Sequence, residues 1–407
     1  MKKVLFVSSE SVPFIKTGGL ADVVGSLPKY FDKNKYDVRV MLPKYMCMKD
    51  EWKDKLSYRL HFYMDLNWRQ QYVGIFEMEY EGIKFYFIDN EEHFSGDKPY
   101  YGMPGDLEKF AFFSKAALSI LPVIDFRPDI IHCHLNVIPY FYRLAMTNRK
   151  TKIFHTLHNL AEKTYESKYQ FYINKFFYAN RLIRPVTISR ECQFSFEKLY
   201  KLQGVPNINN GCPEIHPTSL FPETLKEVAS YKTNAAEPLF IHVARFHPQK
   251  NQELLVDAFN KLAAGQNRFT LLIIGNGFDT PKGLELQQKA CRNIHFLGLK
   301  ANVSDYLLCS DAFCLTSHYE GLPISLLEAL SCGCVPICTA VGGITDVIED
   351  KVEGYLSKDL SVDSYLTAIK AFMNCPGYIS KKVLKTHFKN NYSMGQCTDK
   401  YLQLYRS

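Results

Sequence analysis

Ser317-His-Tyr-Glu-Gly-Leu-Pro-Ile-Ser-Leu-Leu-Glu328 reads as a strand end, a turn at Gly321 and Pro323, and a helix opening at Ser325, whose hydroxyl is placed to cap the first turn. The pattern then repeats. The apolar run Val335-Pro-Ile-Cys-Thr339 ends in the glycine pair Gly342-Gly343, and a second helix is expected near Thr345. Two helix N-termini aimed into one cleft would offer free N–H groups and positive dipole ends to an anion. Glu320 and Glu328 stand beside that site and suit neutral hydroxyls rather than phosphate. Phosphate donors next to hydroxyl acceptors describe a nucleotide-sugar pocket.

Outward from this stretch, apolar runs alternate with helical segments along the whole chain. Val4–Ser8, Val38–Leu42, Phe85–Ile88, Ile130–His132 and Ile153–Leu157 read as buried parallel strands, with an amphipathic helix at Glu108–Leu121. A second series runs through Leu239–Val243, Thr270–Ile274, Ile294–Phe296, Ala312–Leu315 and Val335–Cys338, with helices at Gln252–Ala263 and Ile324–Leu330. Two series of βα units predict an α/β protein of two doubly wound, Rossmann-like domains. A chain of 407 residues has the length for two cores of about 200 residues each.

Bulk properties narrow the function. No segment reaches the ~18 uninterrupted apolar residues of a membrane span, and Glu10 ends the opening apolar run too early for a signal peptide. The 12 cysteines form no regular framework, which fits reduced thiols and a cytoplasmic protein. The pair His132-Cys-His134 has poor spacing for a metal, so no metal site is expected. The net charge of +7 is spread out, without the clustered basic and aromatic residues that nucleic acid requires. Lys29, Lys33, Lys35 and Arg39 leave room for weak contact with anionic lipid headgroups or a lipid-linked acceptor.

Arg245 and Lys250 follow directly on the strand Leu239–Val243, where open α/β sheets bind their ligands. Fixed cations there stabilise the charge that builds on a departing diphosphate. Glu328 lies among apolar neighbours and needs a partner. Lys16-Thr-Gly-Gly19 precedes a helix expected near Ala21, and its glycines permit close backbone approach to an anion. It is neither a Rossmann Gly-x-Gly-x-x-Gly nor a P-loop.

These motifs carry a resemblance. Glu320 and Glu328, with Arg245 and Lys250 upstream, are similar to the donor half of retaining glycosyltransferases of the GT-B fold, family 4. Lys16-Thr-Gly-Gly-Leu-Ala-Asp-Val-Val24, Phe110-Ala-Phe-Phe-Ser-Lys-Ala-Ala117, Pro128-Asp-Ile-Ile-His-Cys-His134 and His158-Asn-Leu-Ala161 resemble bacterial glycogen and starch synthases, family 5. The likeness is weak from roughly Glu162 to Glu237. The chain departs from the synthase pattern at Leu135-Asn136, where that family has Asp-Trp, and at Glu328, where an aromatic is usual.

The resemblance implies an acceptor-side domain over 1–210, a hinge over 211–237 and a nucleotide-sugar domain over 238–390. The last residues, 391–407, would form a helix crossing back to the first domain, and the two domains would face a cleft. It further implies hexosyl transfer from a nucleoside diphosphate sugar to a carbohydrate or lipid-linked hydroxyl, with retention and with neither metal nor cofactor. Glu320 would hold the hexose hydroxyls and Glu328 the ribose. Lys16 with Gly18 and Gly19 would meet the diphosphate, as would Gly342-Gly343, and His158 would sit beside the reacting sugar, with His134 a lesser candidate. The alternatives are a short glycogen-synthase-like glucosyltransferase using ADP- or UDP-glucose, a nucleotide-sugar epimerase, and a non-catalytic sugar-nucleotide sensor.

Overall fold

The structure, a computed structural model, describes residues 1–100, 105–134, 140–148, 150–163 and 168–407. The chain divides into one unit of Met1–Asn210 with Cys397–Ser407, and a second of Gly211–Gln396.

The first unit is built on β1 (Lys2–Ser8), β2 (Tyr36–Pro43), β3 (Ser57–Leu66), β4 (Arg69–Tyr80), β5 (Ile83–Asp89), β6 (Ile130–His134), β7 (Lys152–Leu157) and β8 (Arg184–Thr187), in the order β3-β4-β5-β2-β1-β6-β7-β8. The strands β5, β2, β1, β6, β7 and β8 pair in parallel. Val4 to Val7 of the central β1 are fully buried, because helices on both faces of such a sheet exclude water. The antiparallel arm β3–β4, absent from the expected strands, extends one edge. From Leu60 onward the residues of β3 alternate between covered and exposed, with Met64 and Leu66 buried, as on an edge strand with one face to solvent.

The second unit is a fully parallel sheet of β9 (Leu239–Val243), β10 (Thr270–Ile274), β11 (Ile294–Gly298), β12 (Ala312–Leu315), β13 (Val335–Thr339) and β14 (Tyr355–Ser357), ordered β11-β10-β9-β12-β13-β14. Register pairs Phe240 with Leu271 and Ile241 with Phe313. The strand order reverses around β9 and β12, so their carboxyl ends flank the topological switch point where such sheets bind ligands.

Several expectations need correction. The segment 211–237 is no linker, since the helix Phe221–Tyr231 belongs to the body of the second unit. Glu227 accepts from the Tyr306 hydroxyl at 2.6 Å and from Lys300 Nζ at 3.0 Å, while Asp305 accepts from Thr218 N at 2.8 Å. The return to the first unit begins at Cys397, within the helix Met394–Arg406. Ser325 does not cap its helix. Pro323, held extended at φ −72° and ψ 120°, is the capping position, and helical geometry begins at Ile324. The helix expected near Thr345 is a single turn, Ile344–Val347, too short to sum a useful dipole. Three of the four basic residues singled out in the first unit have acidic partners, and Lys33 donates to the Glu81 carbonyl. Lys29 pairs with Glu81 at 2.5 Å, Lys35 with Asp32 at 3.0 Å and Arg39 with Asp37 at 2.9 Å.

No helix among the described residues is long and apolar enough to cross a membrane. None of the twelve cysteines forms a disulfide, and Cys314, Cys332, Cys334 and Cys338 are buried.

Candidate functional site

In the second unit the chemistry gathers where three strands end. After β9 the chain runs beside the end of β10, Ala244 N donating to Ile274 O at 3.0 Å and Phe246 N to Asn276 O at 2.8 Å. This close approach needs Gly275, where an added Cβ would lie 1.9 Å from the Ala244 carbonyl oxygen. A short turn, Pro248–Lys250, leads into the helix Gln252–Ala264. The side chain of Gln252, buried, donates to Arg245 O at 2.9 Å.

The segment after β12 is stitched to that turn. Thr316 Oγ1 donates to the carbonyls of Lys250 and Asn251, both at 3.0 Å, and His318 N donates to Gln249 O at 2.8 Å. Lys250 Nζ is thereby held 2.6 Å from Glu320 Oε1, to which Ser317 Oγ also donates at 2.5 Å. The glycine turn after β13 joins through Thr339 Oγ1 to Ser317 O at 2.8 Å and Gly343 N to Glu320 O at 3.4 Å. Gly342 adopts φ +56° in that turn, a conformation glycine takes without steric cost.

Glu320 is 7% exposed, and an ionised carboxylate at that depth requires pairing. Lys250 and Ser317 supply it, both on Oε1, so Oε2 has no hydrogen bond among the described residues. Arg245 is exposed. It shares a neighbourhood with Lys250: His247 is held below its ordinary value by burial and then by the positive charges of both. His242, beneath them, is pushed down to about 4, chiefly by burial. Lys250, Glu320 and Gly343 are therefore brought together by hydrogen bonds, with Arg245 close by. Glu328 lies half-buried on the helix Ile324–Cys332, where its charge, after burial, helps push the Cys332 thiol up to about 12.

In the first unit, Gly18 caps the helix Gly19–Ser26 with extended backbone, and Lys16 Nζ lies 2.7 Å from Asp22 Oδ1. His158, after β7, bonds through Nε2 to His134 Nδ1 at 2.9 Å. His132 is saturated, with Tyr405 OH at 2.6 Å on Nδ1 and Thr156 Oγ1 at 2.7 Å on Nε2. Burial lowers all three histidines, His158 to about 3, and the neighbouring histidines add to the effect. At neutral pH His158 is an uncharged imidazole. No group of three or more His, Cys, Asp or Glu among the described residues is placed to hold a metal ion. Leu135 and Asn136 lie outside the described residues.

Reading the sequence missed Gly275, Thr316, Ser317 and the buried Glu10. A glycine directly after a buried strand, as in Ile274-Gly275, was the available signal for the first.

Comparison with known proteins gives the family and the fold. The starch synthase catalytic domain family matches residues 3–196, and the glycosyl transferases group 1 family matches 224–391. The catalytic domain of starch synthase IV from Arabidopsis thaliana, bound to ADP and acarbose, superposes with a TM-score of 0.79 at 20% identity, covering 100% of this chain and 99% of that one. Sucrose-phosphate synthase from Thermosynechococcus elongatus gives 0.75 at 16% identity, covering 100% and 98%. The fold is GT-B, and the protein is a glycosyltransferase acting on a nucleoside diphosphate sugar. Glycogen synthases of Lachnoclostridium phytofermentans and Lachnospira eligens are 35% and 33% identical, each match covering all of both chains. The chain belongs to the glycogen synthase family.

Proposed function

We propose that the protein transfers glucose, with retention of configuration, from ADP- or UDP-glucose to a hydroxyl of a glucan chain in the cytoplasm. The observation that carries this reading is the Lys250–Glu320–Ser317 assembly at the ends of β9, β12 and β13. The full-length similarity to glycogen synthases supports glucose and glucan over the lipid-linked acceptors considered from sequence.

Each group has a role that follows from its chemistry. Arg245 and Lys250 neutralise the charge that grows on the departing diphosphate. Glu320 keeps Oε2 for a sugar hydroxyl, and Glu328 accepts from the ribose. Gly342 and Gly343 let backbone amides approach phosphate oxygens. The first unit contributes Lys16 and the Gly18-Gly19 amides, which suit phosphate, and a neutral His158, which faces a positive sugar centre without repelling it. No carboxylate is assigned as a covalent nucleophile. The acceptor attacks on the face the diphosphate leaves, and a phosphate oxygen takes the acceptor proton. Cations already fixed in the protein do the work for which other transferases use a metal.

The test is incorporation of labelled glucose from ADP-, UDP- and GDP-glucose into a glycogen primer, with nuclear magnetic resonance of the new anomeric centre. An α product formed only with primer supports the reading. An inverted centre refutes the mechanism, and conversion of the donor without any acceptor would assign an epimerase instead. Tight donor binding with no turnover on glycogen or shorter glucans would mark a sensor.

A further inference from the structure

Beyond β1 the chain continues Ser9-Glu10 before turning toward the helix Gly19–Ser26. Glu10 is 3% exposed, and no lysine or arginine among the described residues pairs with it. Its closest partner is Thr17, whose backbone N donates to Oε2 at 2.5 Å and whose Oγ1 donates to the same atom at 2.8 Å, and the Gly18 N–H and the Tyr100 hydroxyl also turn toward the carboxylate. The backbone of Glu10 is itself pinned. Ser8 Oγ donates to Glu10 O at 2.8 Å and to His134 O at 3.4 Å, and Ser9 Oγ bonds the Tyr100 hydroxyl at 2.6 Å. A chain of short contacts therefore runs from the end of β6, through Ser8 and Glu10, to the middle of the Lys16–Gly19 loop.

We propose that Glu10 is a positioning residue: by holding Thr17 through both of its donors, it fixes where the Lys16–Gly19 loop meets the diphosphate of the sugar donor. The inference rests on the reading given under Proposed function. Thr17 stands between Lys16 and Gly18, so a shift of Thr17 moves both neighbours. Taking up its N–H and hydroxyl also removes two donors that would otherwise compete for the phosphate.

The arrangement is a poor one for stability alone. Burial, with a smaller addition from the charge of Asp22, holds the Glu10 carboxyl above its ordinary value. An anchor needed only for folding would be served by a neutral side chain without that desolvation cost. A charged acceptor instead makes shorter, stiffer hydrogen bonds and fixes the loop more tightly.

The experiment compares wild type, E10A, E10Q and K250A for ADP and UDP binding by calorimetry, for donor KM and kcat, and for melting temperature. E10A is expected to weaken diphosphate binding and raise donor KM by at least about tenfold, in a folded protein whose melting temperature is lowered because the Thr17 N–H and hydroxyl lose their acceptor. E10Q retains an acceptor oxygen for Thr17 without the charge and is expected to restore the melting temperature while recovering only part of the loss in binding and KM. Wild-type binding and KM in a folded E10A would overturn the inference, as would parallel loss of melting temperature and kcat with KM unmoved. If K250A loses the diphosphate while E10A keeps it, the site reading stands and Glu10 alone is wrong. If wild type binds neither diphosphate, the site reading fails and the role of Glu10 falls with it.

Discussion

Glu320 and Glu10 are both buried carboxylates just beyond the end of a parallel strand, and they are held in opposite ways. Glu320 has a lysine at 2.6 Å and a hydroxyl at 2.5 Å. Glu10 has only neutral donors, the N–H and hydroxyl of Thr17 with the Gly18 N–H and the Tyr100 hydroxyl. The first arrangement is a balanced ion pair, in which removing either partner strands a charge. The second is a single charge held by dipoles, in which removing the charge strands only neutral donors. The second unit thus fixes Glu320 by Coulombic pairing, and the first fixes Glu10 by directed hydrogen bonds alone.

The largest effect is expected from breaking the pair. K250A leaves Glu320 buried with Ser317 alone, so it should lower kcat by about 10³-fold and destabilise by roughly 3 kcal/mol. E320A strands the lysine and should behave alike. The double variant K250A/E320A should recover much of the stability and none of the activity, as read by chemical denaturation and by glucose transfer. Additive stability losses in the double variant would show that the two side chains do not act as a pair.

Most of this second-unit site was legible in the sequence because its parts are local to strand ends. Lys250 follows β9 by seven positions, and Glu320 follows β12 by five. The first-unit network was not legible. Its bonds join His132 to Tyr405 across 273 positions and Ser9 to Tyr100 across 91, and no periodicity encodes such pairs. The helix Phe221–Tyr231 was taken for a hinge for the same reason. Its partners Lys300 and Tyr306 lie more than 70 positions away, while its Pro- and Asn-rich surroundings read as linker. Ser325 misled because hydroxyls favour caps, whereas Pro323 had already set the boundary.

A paired glycine substitution tests how tightly each loop is seated. G275A would drive a Cβ into the Ala244 carbonyl oxygen at 1.9 Å, whereas a Cβ at Gly18 meets nothing within 4 Å. G275A should cost about 2–3 kcal/mol and displace the Arg245 turn, lowering donor affinity. G18A should change stability by less than about 1 kcal/mol. Equal losses in thermal melts would undo the contrast between the two loops.

Acid should separate the units as well. His132, His134 and His158 in the first unit have depressed proton affinity, His158 to about 3, against His242 at about 4 in the second. Such a histidine stays neutral when folded but takes a proton near pH 6.5 when unfolded, so its stabilising contribution is whole above that pH and is lost as pH falls toward the folded value. Each can remove up to about 1.4 kcal/mol per pH unit in that window. Glu10 acts with the opposite sign, but only between its raised value and its ordinary one. Both tryptophans, Trp52 and Trp68, lie in the first unit, and Trp52 packs 5.3 Å from Phe14. Tryptophan emission should therefore shift at a higher pH than the loss of total far-ultraviolet circular dichroism; coincident transitions would contradict the assignment.

The smallest effects come from trimming one hydroxyl beside each carboxylate. S317A leaves Glu320 still paired with Lys250, so the loss should stay near 0.5 kcal/mol, at the low end for a hydrogen bond. T17V leaves Glu10 with neutral donors only, the N–H of residue 17 among them, and no cation, so the loss should approach about 1.5 kcal/mol. The ordering matters more than either value, because the two hydroxyls make bonds of similar length, 2.5 and 2.8 Å. A cation nearby makes a hydroxyl dispensable, and its absence makes the hydroxyl necessary. Denaturant titration of both variants in parallel decides the point, and a larger loss for S317A would mean that Lys250 contributes less to holding Glu320 than its 2.6 Å contact implies.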